Sequence, residues 1–208
     1  MKKKYIYLPF IPIIYCMCMT ACNTANTNDA GVVINGVTWA TRNVNSVGTF
    51  TGRAEDAGMM YQWNTKTAWN ATGTVSDWNT TMPSGTTWER ENDPSPAGWR
   101  VPTLAEIQSL LDTTKVLCTS TVQNGVKGSL FTDKTTNQSL FFPFAGYRYF
   151  TNGTLYYGGT LGVYWINTEE KAGGSLALYS NIAGNNLNGS RRTFAYTIRP
   201  VAALREPQ

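Results

Sequence analysis

Side chains that could carry out catalysis are sparse in this 208-residue chain. It contains no histidine, which excludes Ser-His and Cys-His nucleophilic pairs and histidine-based zinc or iron sites. Two pairs of acids, Glu89 with Glu91 and Glu169 with Glu170, are the candidates for the paired carboxylates of a glycoside hydrolase. Adjacent or alternating acids on polar loops are usually just solvated. The sequence therefore predicts a non-catalytic protein, with hydrolysis as the alternative.

The four cysteines also suggest no reactive pair. Cys16, Cys18 and Cys22 belong to the N-terminal segment, which leaves Cys118 alone. Apolar neighbours place Cys118 in a strand or at a core edge, so we expect a buried thiol rather than a reactive one. A calcium site would need several oxygen ligands at set spacing, and that spacing is missing. We therefore expect no metal and no cofactor.

Residues 167–192 carry the side chains best suited to binding. Tyrosine buries a large aromatic area at low entropic cost, and asparagine offers both donors and acceptors. The candidate ligand-binding residues are Asn167, Tyr179, Asn181, Asn185, Asn186, Asn188, Arg191 and Arg192. In the alternative interpretation, asparagine and glycine serve only as turn residues, with Asn188-Gly189 turning between the last two strands. These interpretations overlap, and both stay open here.

The N-terminus has the order of a secretory signal. Lys2, Lys3 and Lys4 precede an apolar stretch, and small residues come directly before Cys22. Small residues before a cysteine resemble the lipobox of bacterial lipoproteins, in which the cysteine receives the lipid. We predict a lipoprotein signal peptide at 1–21, lipidation of Cys22 and a flexible tether at 22–30. An ordinary signal peptide cut nearby is the alternative.

The charge balance argues against a nucleic-acid partner. Only 14 % of the residues are charged, and three of the 17 basic residues are the N-terminal lysines. After Cys22 the chain carries 14 basic and 13 acidic residues, a formal charge of +1. A nucleic-acid-binding domain normally has a strongly basic patch. We therefore expect no nucleic-acid partner.

The elements that must position these side chains are organised around residues 92–111. Three prolines and Gly98 make the first part a stiff, turning loop that carries one large side chain, Trp99. Thr103 with Glu106 three residues later predicts a capping box and the start of a short amphipathic helix. We interpret this stretch as a structural hub, with Trp99 and Trp165 as core residues.

Most of the remaining chain predicts short β-strands. Asn35-Gly36 and Asn152-Gly153 are hairpin turns flanked by apolar and aromatic residues. Short strands separated by turns predict an α+β fold, with an antiparallel sheet, one or two helices and long ordered loops. At this length we expect one domain, at 31–208.

Six motifs, in order, resemble the Fibrobacter succinogenes major paralogous domain, which is abundant in surface lipoproteins of the Bacteroidota. They are GVTWATRNV (36–44), GMMYQW (58–63), DPSPAGWRVPT (93–103), FPFAGYR (142–148), YWINT (164–168) and IRPV (198–201). The resemblance covers about 31–204. It implies a C-type lectin-like fold, which is similar to that of formylglycine-generating enzymes and of the variable proteins of diversity-generating retroelements.

The resemblance also implies a location and a binding face. We expect a protein held in the cell envelope by lipid at Cys22, on the exposed surface of the outer membrane. In lectin-like folds the segment near 167–192 forms a loop face, so we predict a ligand-binding or adhesion module for a glycan or a surface protein. A retroelement-diversified binder, a formylglycine-generating-like enzyme and a structural appendage subunit are the alternatives. The enzyme would need a cysteine pair, and Cys118 has no partner.

One departure from the family concerns disulfides. Relatives commonly carry cysteine at the positions of Ser95 and Pro200, which implies that a bridge between them is lost here as a pair. Such a bridge contributes about 2–4 kcal/mol to stability, so packing around Trp99 is expected to replace it.

Overall fold

The computed structural model describes residues 26–170 and 174–203, with the side chain of Glu170 excepted. The predicted signal peptide at 1–21 and the predicted lipidation site Cys22 lie outside the described residues. No helix in the described ranges is both long enough and apolar enough to cross a membrane.

Within the described residues, short β-strands make up most of the regular structure, with a 3-10 helix at Arg90–Asn92 and one α-helix, α1, at Leu104–Leu110. The strands are β1 (Val32–Ile34), β2 (Val37–Trp39), β3 (Met59–Gln62), β4 (Ala68–Asn70), β5 (Trp99–Arg100), β6 (Val116–Gln123), β7 (Val126–Asp133), β8 (Ser139–Pro143), β9 (Tyr147–Arg148), β10 (Leu155–Tyr156), β11 (Leu161–Glu170), β12 (Gly174–Asn181), β13 (Gly184–Ser190), β14 (Ala195–Tyr196) and β15 (Val201–Ala202).

The strands form four antiparallel sheets. Their strand orders are β1-β2-β15-β5, β10-β9-β14-β3-β4, β11-β12-β13 and β6-β7-β8. The first sheet pairs the beginning of the domain with its end, since Val201 lies opposite Trp39. The expectation of antiparallel sheets with a helix is confirmed, and the architecture is α+β or mostly β.

The loop and helix at 92–111 have the local geometry that the sequence predicts. The Thr103 side chain accepts from the Glu106 backbone N–H, and the Glu106 carboxylate accepts from the Thr103 N–H at 2.7 Å. Arg100 donates to the same carboxylate from both terminal guanidinium nitrogens, at 2.9 and 2.6 Å. Trp99 packs edge-on against Phe50 with ring centroids 5.6 Å apart, in a small cluster beside the main core.

The main core lies on both faces of the sheet β11-β12-β13. Tyr164 and Leu178 belong to one buried cluster, while Trp165 and Ala177 belong to the other. Trp165 is fully buried, and its indole N–H donates to the Tyr61 carbonyl at 2.6 Å. Trp165 therefore lies in the main core, whereas Trp99 packs in a smaller cluster beside it.

The structure differs from the predicted tether over 26–30. The Asn26 side chain donates to the Thr51 carbonyl at 3.0 Å. Asp29 accepts from the Thr41 backbone N–H and forms a salt bridge with Arg42 at 3.0 Å. Because these contacts join 26–30 to the domain, the ordered part of the chain begins before residue 31.

The segment predicted as an exposed loop face is a sheet instead. Residues 167–192 contribute to β11, β12 and β13, and the turn between the last two strands lies at Asn181–Gly184. The predicted turn at Asn188-Gly189 is wrong, because both residues lie inside β13 and pair with β12. Burial of Leu178 opposite Leu187 accounts for this register, since a shift by one residue would expose both.

Candidate functional site

Two of the predicted ligand-binding residues stabilise the scaffold. Arg192 is buried, lies over the Trp63 ring at 4.3 Å and pairs with Glu169 at 2.7 Å. Asn167 uses its backbone to bridge two loops, donating to the Pro102 carbonyl and accepting from the Trp88 N–H. The Arg192 guanidinium is therefore already paired within the protein, whereas Asn167 contributes to the scaffold through its backbone.

Asn185 lies on the opposite face of β13 from the other candidates. Its side-chain amide donates to the Cys118 sulfur at 3.2 Å, beside a cavity of about 250 Å³ near the end of α1. Cys118 is a free, partly buried thiol. The prediction that the Cys118 thiol is buried is therefore confirmed only in part.

Four other predicted residues do come together. Tyr179, Asn181, Asn186 and Asn188 share one face of β12 and β13, because residues two apart and residues paired across strands point the same way. Asn186 and Asn188 are exposed, while Tyr179 and Asn181 are half-buried. The Asn181 side chain accepts from the Ala183 N–H in the turn.

A series of contacting aromatic rings, half-buried or exposed, adjoins this face, and we call it the tyrosine platform. It consists of Tyr147, Tyr149, Phe150, Tyr156, Tyr157 and Phe194. Tyr147 lies at its centre, with ring centroids 5.5 Å from Phe194, 5.8 Å from Tyr157 and 6.1 Å from Tyr156. Tyr156 and Tyr157 are 42 % and 60 % exposed, which is unusual for two adjacent large rings.

Strand alternation explains how the platform is presented. Residues 147 and 149 turn outward, so Arg148 between them turns inward and is fully buried. The Arg148 guanidinium makes five hydrogen bonds to the backbone carbonyls of Asn70, Thr72, Gly73 and Gly153. Burial lowers the pKa of Arg148 from its ordinary value. This cation therefore ties the platform to the loop after β4.

Tyr157 has a strained backbone. Its φ of 58° lies in the left-handed region, which suits glycine or asparagine and disfavours a bulky residue. Its carbonyl accepts from the Thr160 and Leu161 N–H groups, which fixes the turn. Such strain costs of order 1–3 kcal/mol and is concentrated at functional sites. The ring is exposed, so the strain cannot be explained by core packing.

Hydroxyl groups gather beneath the rings. Burial first, and then the neighbouring hydroxyls of Tyr157 and Tyr179, raise the pKa of Tyr147. The Tyr179 hydroxyl meets the Tyr196 hydroxyl at 2.9 Å, and Tyr196 also bonds Ser190. Tyr179 therefore links the platform to the asparagine face of β13.

Arg191 lies at the other end of the platform from Tyr157. Its guanidinium carbon is 4.7 Å from the Phe150 ring centroid, and the residue is exposed. Phe150 contacts Phe194 at 5.1 Å, and Phe194 contacts Tyr147. The cation is thus connected to Tyr157 by a continuous run of rings.

A groove of about 380 Å³ adjoins the platform beyond Tyr157. The turn after Tyr157 forms part of its wall through Gly159 and Thr160, and the Gly159 N–H donates to the Phe144 carbonyl at 2.7 Å. Ile182, 84 % exposed, lines it as well. The groove wall therefore begins two residues after Tyr157.

The predicted acid pairs have different surroundings. Glu89 precedes the 3-10 helix and Glu91 lies within it, both exposed, whereas Glu169 is paired with Arg192. The side chain of Glu170 lies outside the description. Among the described residues, no cluster of three or more acids or cysteines could hold a metal ion.

Sequence interpretation missed the platform. The sequence predicts short strands in this part of the chain, but it does not indicate which tyrosine rings face solvent. The signal that could have found them is the alternation Tyr-Arg-Tyr at 147–149 followed by Tyr156-Tyr157 after a short turn. No protein-family model, no curated protein and no solved structure matches this chain.

Proposed function

We propose that this is a non-catalytic, ligand-binding protein of the cell envelope, exported and held on the outer-membrane surface by lipid at Cys22. Its ligand, a glycan or a surface protein, binds at the tyrosine platform. One observation carries the proposal: six aromatic rings contact one another in a continuous series at the surface, and two of them, Tyr156 and Tyr157, are exposed while the others are half-buried.

Energetics support this assignment. Burying apolar surface contributes about 25 cal/mol per Å², and a large aromatic ring buries roughly 150–250 Å². The apolar area of rings that stay exposed after folding can therefore still contribute to binding when a ligand covers it. Tyrosine loses few rotamers on binding, and the short strands β9 and β10 hold the rings in place.

The strain at Tyr157 favours the same surface. A glycine or asparagine would adopt its backbone conformation at lower cost, so stability alone would not select a tyrosine. The inference runs from the strained residue to a role for its side chain. That role is contact with a ligand.

The finer fold assignment, C-type lectin-like, belongs to this proposal. It is supported by the pairing of β15 with β2 and β5, by the short antiparallel strands and by the long ordered loops. In this proposal Arg148 and Arg199 of the family motifs are scaffold residues, since both are fully buried. The binding face then lies on the platform and β13.

A retroelement-diversified binder is a second candidate. Mutagenesis directed at adenines enriches asparagine and tyrosine codons, and exposed residues of these types share one surface here: Tyr156, Tyr157, Asn186 and Asn188. Sequencing the gene across one bacterial population tests it. Variation concentrated at these codons supports diversification, and uniformity rejects it.

Binding is tested with the full chain displayed on cells. We expect Tyr156→Ala with Tyr157→Ala to reduce adhesion to glycan and surface-protein panels at least tenfold. Leu117→Ala is the matched control, because Leu117 is 50 % exposed and lies on β6, away from the platform. Equal adhesion by wild type and the double variant would overturn the proposal.

The anchor is tested separately with labelled palmitate. Wild type is expected to incorporate the label, and Cys22→Ala is expected not to. Label retained in the variant would reject lipidation at Cys22 without bearing on the platform.

A further inference from the structure

The cation at the end of the platform has an unused binding edge. The Arg191 guanidinium carbon lies 4.7 Å from the Phe150 ring centroid, so the ring covers one side of the group. Its side chain forms no salt bridge with any described residue, and it is exposed. The planar N–H edge, which matches a carboxylate with two parallel hydrogen bonds, is therefore available.

The neighbouring residue, Arg192, also lies over an aromatic ring, but its N–H edge is already paired with a carboxylate. Arg192 lies over the Trp63 ring at 4.3 Å, and its edge pairs with the Glu169 carboxylate at 2.7 Å. The two arginines thus share ring stacking. They differ in what meets the N–H edge: the Glu169 carboxylate at Arg192, and no carboxylate of the described residues at Arg191.

The rest of the platform suits sugar rings. Each tyrosine offers a flat apolar face and a hydroxyl, which match the apolar C–H face and the hydroxyls of a pyranose. The exposed amides of Asn186 and Asn188 add both donors and acceptors on the adjoining face. Arg191 and Tyr157 lie at opposite ends of the ring series, so the surface suits several linked units.

We propose that the ligand is an acidic oligosaccharide or polysaccharide whose carboxylate pairs with Arg191 and whose sugar rings stack on Tyr156 and Tyr157. This rests on the proposed function of the platform and names its ligand class. The guanidinium selects acidic over neutral sugars, and the rings supply affinity that does not depend on charge.

The observations favour a glycan over an acidic protein segment. The exposed platform side chains are aromatic, hydroxyl and amide groups, which bind a hydroxyl-rich chain along its length. The single cation lies at one end of the described platform rather than along it. An acidic peptide remains an outcome of the test below.

The experiment titrates the full chain, purified in detergent, with matched probes. The acidic probes are hexasaccharides of galacturonic acid and mannuronic acid and a hyaluronan hexasaccharide. Each is compared with its methyl ester, which keeps the rings and removes the charge. Poly-glutamate of similar length is the peptide probe.

We expect at least one acidic hexasaccharide to bind about tenfold more tightly than its ester, as a hydrogen-bonded charge pair would give. Arg191→Gln is expected to bring that ratio close to one and to leave ester binding unchanged. Arg191→Lys is expected to retain only part of the ratio, because an ammonium lacks the planar edge. Arg53→Gln, which removes an exposed cation elsewhere, is expected to keep the wild-type ratio.

Failure of this inference is distinguishable from failure of the proposed function. Acid and ester binding equally, with Tyr157→Ala weakening both, would overturn the acidic ligand and retain the platform. Tighter, Arg191-dependent binding of poly-glutamate than of every saccharide would overturn the glycan. Binding of the saccharides that ignores both Arg191→Gln and Tyr157→Ala would overturn the inference and the platform together.

Discussion

Arg148 positions the tyrosine platform, and replacing it with methionine is expected to destabilise the domain strongly. Methionine keeps the apolar stem and removes five hydrogen bonds to four backbone carbonyls. At about 1 kcal/mol net for each bond, the loss is about 5 kcal/mol. Removing a buried charge that has no carboxylate partner among the described residues offsets part of it. We expect the free energy of unfolding to fall by about 3–4 kcal/mol.

The assay is urea unfolding of the full chain in detergent, followed by tryptophan fluorescence. A loss of 3–4 kcal/mol also lowers Tm by about 6–15 °C for a domain of this size. Arg53→Met is the control, because Arg53 is exposed and its loss is expected to change stability by less than about 0.5 kcal/mol. A loss below about 1 kcal/mol for Arg148→Met would refute the reasoning that this cation holds the loop after β4 to the platform.

Three further predictions concern the turn, the helix start and a tight glycine. Tyr157→Asn is expected to leave the free energy of unfolding within about 1 kcal/mol of wild type, because relief of backbone strain offsets the lost ring contacts. Ligand binding by this variant is expected to fall at least tenfold. A loss of both stability and binding would show that the role of Tyr157 is structural. Burial acts to raise the pKa of Glu106, but hydrogen bonds from Arg100 and Thr103 outweigh burial and lower the pKa below its ordinary value of 4.5. The contribution of Glu106 to stability is thus fully present above about pH 4.5 and is lost as the pH falls through the lower pKa of the folded state. The free energies of unfolding of wild type and Glu106→Gln, measured against pH, should therefore converge at low pH. A constant difference between the two curves would contradict this prediction. Gly58→Ala is expected to lower the free energy of unfolding in urea by at least about 2 kcal/mol, because the new Cβ would lie 2.2 Å from the Val44 carbonyl oxygen at a φ of 75°. Gly36→Ala is the control, since Gly36 has a similar φ but open space around it, and its loss of stability should be smaller. Equal losses for the two variants would show that the close approach at Gly58 does not matter.

Local signals in the sequence predicted local structure well. The capping box at Thr103 and Glu106 is present, and Asn35-Gly36 forms the turn between β1 and β2 with positive φ at both residues. Each of these depends on a few neighbouring residues. Asn188-Gly189 failed for the opposite reason, since burial of the facing leucines set the strand register and overrode the turn preference.

The candidate site depended on contacts between distant parts of the chain. Tyr147 and Phe194 meet because β14 pairs with β9, a strand order that short-range patterns do not encode. The burial of Arg148 and Arg192 could not be predicted from the sequence either, because charged residues are rarely buried. A buried arginine needs carbonyls or a carboxylate around it, and these come from distant parts of the chain. Of the predicted ligand residues, Tyr179, Asn181, Asn186 and Asn188 share a face next to the platform, whereas Asn185 lies on the other face of β13.

The most direct test of the binding claim is an NMR titration of the tyrosine rings. The full chain, with labelled tyrosine, is titrated with the best-binding panel ligand. We expect the resonances of Tyr147, Tyr156 and Tyr157 to shift with saturation, while those of Tyr61 and Tyr164, buried in the core, stay unchanged. A ligand that saturates the protein without shifting the three platform tyrosines would contradict the account.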